Sequence, residues 1–136
     1  MTALKNIHHL NFVVADLDVA VASYQDRLGL GPFEREELQG RGVSTARTKV
    51  GDVWIVLVSP DNDDCEVGRY LAANGEGFFL LSFGVDNLDA AIAELAERGT
   101  LAGKKRSGLY DWQVADLDTE SDLGIRFHLT EPRPST

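Results

Sequence analysis

Cysteine is nearly absent: Cys65 stands alone in 136 residues, so no intramolecular disulfide can form and a reducing compartment suits the chain. Its setting, DNDDCEVG, holds no histidine or basic residue to activate the thiol, and a catalytic cysteine is not expected. Basic residues are also scarce, 13 against 22 acidic, for a formal charge of −9. That balance disfavours a nucleic-acid binder and an anionic membrane surface, and mildly favours small-molecule or cationic ligands. Long hydrophobic runs are missing: VWIVLV and FFLLSFGV are strand-sized, and the N-terminus has no charged segment followed by an apolar one. The expectation is a soluble, unexported, cytoplasmic protein with no membrane partner. No glycine-rich phosphate fingerprint and no serine-centred nucleophile elbow occur. The acidic loop Asp61, Asn62, Asp63, Asp64 lacks the glutamate and spacing of a calcium loop. There are three histidines, His8, His9 and His128, too few for a complete zinc-type ligand set and without an HxxxH spacing.

What the chain does have is a repeat. Residues 7–27, IHHLNFVVADLDVAVASYQDR, overlay residues 78–98, FFLLSFGVDNLDAAIAELAER, with identities at Leu10/Leu81, Phe12/Phe83, Val14/Val85, Leu17/Leu88, Asp18/Asp89, Ala20/Ala91, Ala22/Ala93 and Arg27/Arg98. Neither copy is large enough to bury its apolar face alone, so two halves of one supersecondary unit are expected within a single domain spanning 1–136. The composition, 43% hydrophobic, can fill its core. The repeat breaks where the first copy has His9 and the second has Leu80.

Periodicity gives a strand over 7–14, Asp16 as N-cap, and a helix with Leu17, Ala20, Val21, Tyr24 and Leu28 on one face, ended by Gly29. GVSTARTKV and VWIVLVS read as strands joined by a Gly51-Asp52 hairpin turn. A short helix over about 67–73, stopped by Asn74-Gly75, closes the first half. The second half repeats the strand as FFLLSFGV, then Asn87 as N-cap and a helix with Leu88, Ala91, Ile92 and Leu95 inward. Strands around WQVADLD and IRFHLTE follow, joined by the polar turn TESDLG, and the end EPRPST is expected to fray.

Alternation along the first strand separates His8, Leu10, Phe12 and Val14, which carry most of the repeat identities and suit a helix-packing core, from Ile7, His9, Asn11 and Val13. The last strand separates Ile125, Phe127 and Leu129 from Arg126, His128 and Thr130 in the same way. His9 and His128 are therefore expected to meet on the face away from the helices, while His8 reads as an incidental polar residue near a strand start. Trp54 and Trp112 suit either a pocket wall or the core. The run Lys104-Lys105-Arg106 could hold a phosphate or carboxylate, or be a solvated loop.

The pattern I-x-H followed by DLDxAxxxYxxxLGL, and the second module VDNLDAAIAELAERG, resemble the vicinal oxygen chelate superfamily, the glyoxalase, bleomycin-resistance and extradiol-dioxygenase group, over nearly the whole chain. REELQGRGV, VGRYLAANGEG and LDTESDLGIRFHL are most similar to the methylmalonyl-CoA epimerase-like branch. The resemblance implies an α+β, glyoxalase-like fold: two βαβββ modules, about 5–75 and 76–131, forming a curved mixed sheet around a cup. It also implies a divalent metal held by four positions, which in this chain carry His9, Val56, Leu80 and His128. The family's general-base glutamate corresponds to Thr45. Two of the four positions are aliphatic, so no tightly bound metal or other cofactor is expected.

The leading expectation is a metal-independent isomerase or lyase in which His9 and His128 are a proton-transfer pair next to a carbonyl. The substrate would be an acyl-CoA or other small carbonyl compound. Asn11, Thr45 or Arg126 would bind the developing oxyanion, and Trp54, Val56, Leu80 and Trp112 would line the substrate site. A non-catalytic small-molecule binder of the bleomycin-resistance type is an alternative, its acidic, aromatic cleft holding a cationic ligand. A metal-dependent glyoxalase or dioxygenase is a further one. The resemblance also implies a homodimer.

Overall fold

The computed structural model describes residues 3–38 and 41–132, so most of the tail expected to fray, 133–136, lies outside the described residues. The chain runs β1 (Asn6–Val13), α1 (Leu17–Leu28), β2 (Glu34–Leu38), β3 (Val43–Val50), β4 (Val53–Pro60), α2 (Glu66–Asn74), β5 (Gly77–Gly84), α3 (Leu88–Glu97), β6 (Arg106–Ser107), β7 (Gln113–Asp116), α4 (Glu120–Leu123) and β8 (Phe127–Glu131). This is an α+β fold with the βαβββ order occurring twice, β1-α1-β2-β3-β4 and β5-α3-β6-β7-β8. Among the described residues no helix is long and apolar enough to cross a membrane. The chain divides into two compact units, Leu10–Phe79 and Met1–His9 with Leu80–Thr136, and β1 and β5 contribute residues to both.

In the unit Leu10–Phe79 the strand order is β2-β3-β4-β1. β3 and β4 form an antiparallel hairpin with Val50 opposite Val53, closed by Gly51-Asp52. Gly51 lies at φ 61°, where the absence of a Cβ removes the usual penalty. α1 begins where the Asp16 carboxylate accepts the Val19 N–H at 3.1 Å, and ends at Gly29 with φ 70°. Ala20 and Val21 pack with Val14, Ala46 and Leu57, flanked by Phe12, Leu17, Tyr24 and Phe33. Leu28, expected on the inward face, is exposed instead, because the core against which α1 packs ends at Tyr24. α2 starts on the lone cysteine: Cys65 Sγ accepts the Gly68 N–H at 3.3 Å.

In the other unit the order is β1-β5-β8-β7-β6, mixed because β5 and β8 run parallel while β7 pairs antiparallel with both neighbours. Asn87, at the repeat position of Asp16, caps α3 by accepting the Ala90 N–H at 2.8 Å. Leu88 and Ala91 pack with Val85, Ala115 and Leu129, joined by Phe83, Ile92, Leu95 and Leu117. Leu129 and Phe83 are opposite each other on this helix-covered face, so strand alternation sends Ser82, His128 and Thr130 to the other face. The expected turn TESDLG contains the helical turn α4.

Candidate functional site

Three imidazoles and one indole come together in the unit Met1–His9 with Leu80–Thr136. His9 and His128, 3% and 4% exposed, touch edge to face with ring centroids 5.1 Å apart and planes at 68°. Trp112 is buried beside them: His9 stacks on it at 4.9 Å and 18°, and His8 meets it edge-on at 4.5 Å. Of the two roles open to Trp112 from sequence, it therefore serves as a buried wall that fixes two imidazole planes.

His8 is the residue that sequence reasoning set aside. It is buried at 8% exposure, and its Nδ1 lies 2.9 Å from His9 Nδ1, a hydrogen bond between adjacent imidazoles. On the other side of the cluster His128 Nδ1 is 2.6 Å from Ser82 Oγ, and Ser82 Oγ is 2.6 Å from Thr130 Oγ1. Ser82 and Thr130 are fully buried. A signal for Ser82 existed in the repeat, where it aligns with Asn11, and strand alternation had already grouped Thr130 with His128. Nothing in the sequence marked His8, because adjacent strand residues point to opposite faces and the His8–His9 contact depends on ring rotation.

The other proposed site residues are distributed as follows. Leu80, in the same unit, is a buried aliphatic side chain of β5. Arg126 precedes β8 and donates from Nη2 to Glu120 Oε1 at 3.3 Å, so its charge is already engaged by α4 rather than held for an oxyanion alone. The basic run is neutralised similarly: Lys105 pairs with Asp89 at 2.9 Å, and Arg106 makes a two-pronged contact with Asp116 at 2.5 and 3.1 Å.

In the unit Leu10–Phe79, Val56 is fully buried and stands opposite Arg47, with Thr45 opposite Val58 and Trp54 opposite Lys49, all on one face of the β3–β4 hairpin. Thr45 was expected to donate to an oxyanion, but its hydroxyl donates to the Glu36 carbonyl at 2.7 Å, which uses its one proton. Trp54 carries the Arg47 guanidinium 4.1 Å from its ring centroid and the Lys49 ammonium at 5.4 Å, a cation–π arrangement that occupies the ring. Sequence reasoning missed Arg47, which is buried on β3 and pairs with Glu34 at 3.7 Å. Asn11 is half-buried on β1, and its Oδ1 has no hydrogen-bond partner among the described residues.

The family model for the glyoxalase/bleomycin resistance protein/dioxygenase superfamily matches residues 8–115, four-fifths of the chain. The chain belongs to this superfamily. Within it, the human mitochondrial methylmalonyl-CoA epimerase is 29% identical over 131 residues, covering 94% of this chain and 74% of that protein. The Streptomyces coelicolor methylmalonyl-CoA epimerase, solved in complex with 2-nitronate-propionyl-CoA, superposes with a TM-score of 0.90 at 27% identity, covering 96% of this chain and 99% of the other. The Mycobacterium tuberculosis methylmalonyl-CoA epimerase gives a TM-score of 0.92 at 26% identity over 98% and 92% of the two chains. These likenesses extend over the entire glyoxalase-superfamily fold, so the repeat seen in the sequence is the superfamily's paired βαβββ module.

Proposed function

We propose that this chain is an isomerase that removes a proton next to a thioester carbonyl, on an acyl-CoA substrate, with His9 and His128 as the proton-transfer pair and without a tightly held metal. The contact between the two buried imidazoles, centroids 5.1 Å apart, carries this reading. One imidazole takes the proton from the carbon while the other gives a proton to the carbonyl oxygen, so the enol forms without a free charge on oxygen. Turning of the enol in the site presents its other face to the imidazolium, which returns the proton to carbon there while the enol oxygen gives its proton back to the second imidazole, so the α-carbon is inverted and the pair is restored. The likeness to methylmalonyl-CoA epimerases supports the acyl-CoA substrate class.

The superfamily's metal does not fit the donors present. Of the four positions that correspond to ligands, Val56 and Leu80 are buried aliphatic side chains with no lone pair to offer. At the other two, His9 and His128, each Nδ1 already bonds within the protein, so the set offers two Nε2 donors where a site of this kind needs at least three protein ligands. No group of three or more His, Cys, Asp or Glu side chains among the described residues is arranged to hold a metal ion. The chemistry is therefore assigned to the imidazoles alone.

Exchange of the α-proton of methylmalonyl-CoA in deuterated water, followed by NMR, tests the assignment because it reads enolisation whatever the stereochemical outcome. His9→Ala and His128→Ala are expected to lose exchange by about 100-fold or more, the scale of a positioned acid or base. Full exchange by either folded variant would remove that histidine from the reaction.

A further inference from the structure

We infer that His8 is a positioning residue that fixes the tautomer of His9 by accepting its Nδ1 proton, an inference that rests on the proton-transfer reading above. Two ring nitrogens 2.9 Å apart share one hydrogen, so one Nδ1 donates and the other accepts. The two assignments are chemically unequal. If His8 donates, His9 carries its hydrogen on Nε2 and has no lone pair there to take a proton from carbon. If His9 donates, its Nε2 holds the lone pair, and His8 must present an unprotonated Nδ1 with its own hydrogen on Nε2.

Only the second arrangement makes His9 a base at Nε2. When that nitrogen takes the substrate proton, His9 becomes an imidazolium whose Nδ1–H stays on His8, and the hydrogen bond strengthens because its donor is now charged. When the proton returns to carbon, the original tautomer is restored with no net change in the pair. Trp112 holds the geometry: His9 is stacked on the indole and His8 meets it edge-on, so neither ring turns away without losing an aromatic contact. His8 therefore has the orienting role that a carboxylate plays for the base histidine of many hydrolases, here taken by a neutral imidazole in the adjacent position.

The test compares two substitutions by NMR of the nitrogen-15-labelled histidine side chains. His8→Asn keeps an acceptor oxygen near the position of Nδ1, whereas His8→Phe keeps a ring against Trp112 but has no acceptor. The free wild-type protein is expected to show His9 protonated on Nδ1 and unprotonated on Nε2. His8→Asn should retain that pattern, and His8→Phe should move the hydrogen wholly or partly to Nε2. In the exchange assay kcat should fall on the order of 100-fold for His8→Phe and by less than about tenfold for His8→Asn, with KM little changed in both. A wild-type spectrum with the hydrogen on Nε2 of His9 overturns the inference without any substitution being made. So does a folded His8→Phe protein whose spectrum and kcat match the wild type. Failure of the parent reading shows differently: His9→Ala would retain exchange, while the wild-type nitrogen spectrum would still report the tautomer.

Discussion

Ser82 Oγ lies 2.6 Å from both His128 Nδ1 and Thr130 Oγ1, and both hydroxyl side chains are fully buried. Either Thr130 donates to Ser82 and Ser82 to His128, or the direction is reversed; in both, Ser82 is the middle of the chain. Ser82→Ala removes two hydrogen bonds at once and leaves the Thr130 hydroxyl without its serine partner in a place water does not reach. The expected loss is about 1–3 kcal/mol, read from the urea midpoint. Thr130→Val, which removes only the outer bond at nearly constant volume, should cost less. Equal losses would mean that Ser82 does not couple the two. These residues also show how far a sequence resolves a site. His9 and His128 were legible because a polar residue recurring on the face away from the helices stands out against a core pattern. His8 was not, because its contacts depend on the rotation of its ring toward His9 and on the Trp112 indole more than one hundred residues away.

At the level of elements, local rules located both helices of the repeat to within a residue at their starts, because Asp16 and Asn87 are N-caps in corresponding positions. Asp16→Ala and Asn87→Ala should each destabilise by about 1 kcal/mol, while Asp16→Asn and Asn87→Asp, which keep an acceptor oxygen, should change little. Chemical denaturation of the four variants checks this, and an alanine variant as stable as wild type would show the cap bond to be dispensable. β2, in contrast, has no side-chain signal and follows only from the βαβββ module that the resemblance implies: EREEL has charged residues at four of five positions and no alternation. It is paired only with β3, and an edge strand tolerates such charge because its outer backbone groups and side chains face water. β6 is two residues long and lies within the basic run, where composition pointed to a loop. In both places backbone pairing with a neighbour, rather than side-chain pattern, makes the strand.

For the molecule taken whole, the duplication explains why the superfamily was recognisable while its chemistry was not. Helix caps and core positions recur between the copies, as the fold requires of any member. Positions off the helix-packing face are free to differ, and they do: His9 against Leu80, with Val56 and His128 at two later positions where the resemblance implies ligands. The proposed independence from metal then follows from side chains rather than from the fold, and mass action makes it measurable. A divalent ion bound only by the folded protein at 100 times its Kd would stabilise it by about 2.7 kcal/mol. For a chain of this length that is a rise in Tm of roughly 8–10 °C. Protein treated with a chelator and then given 100 μM nickel, cobalt, zinc or manganese should instead shift by less than about 2 °C, and its α-proton exchange should stay within about twofold of the untreated rate. The two readouts guard one another. A large shift with unchanged exchange would place a metal outside the reaction, whereas lost exchange restored by one ion would assign the chain a metal-dependent reaction and remove the histidine pair as sole agent.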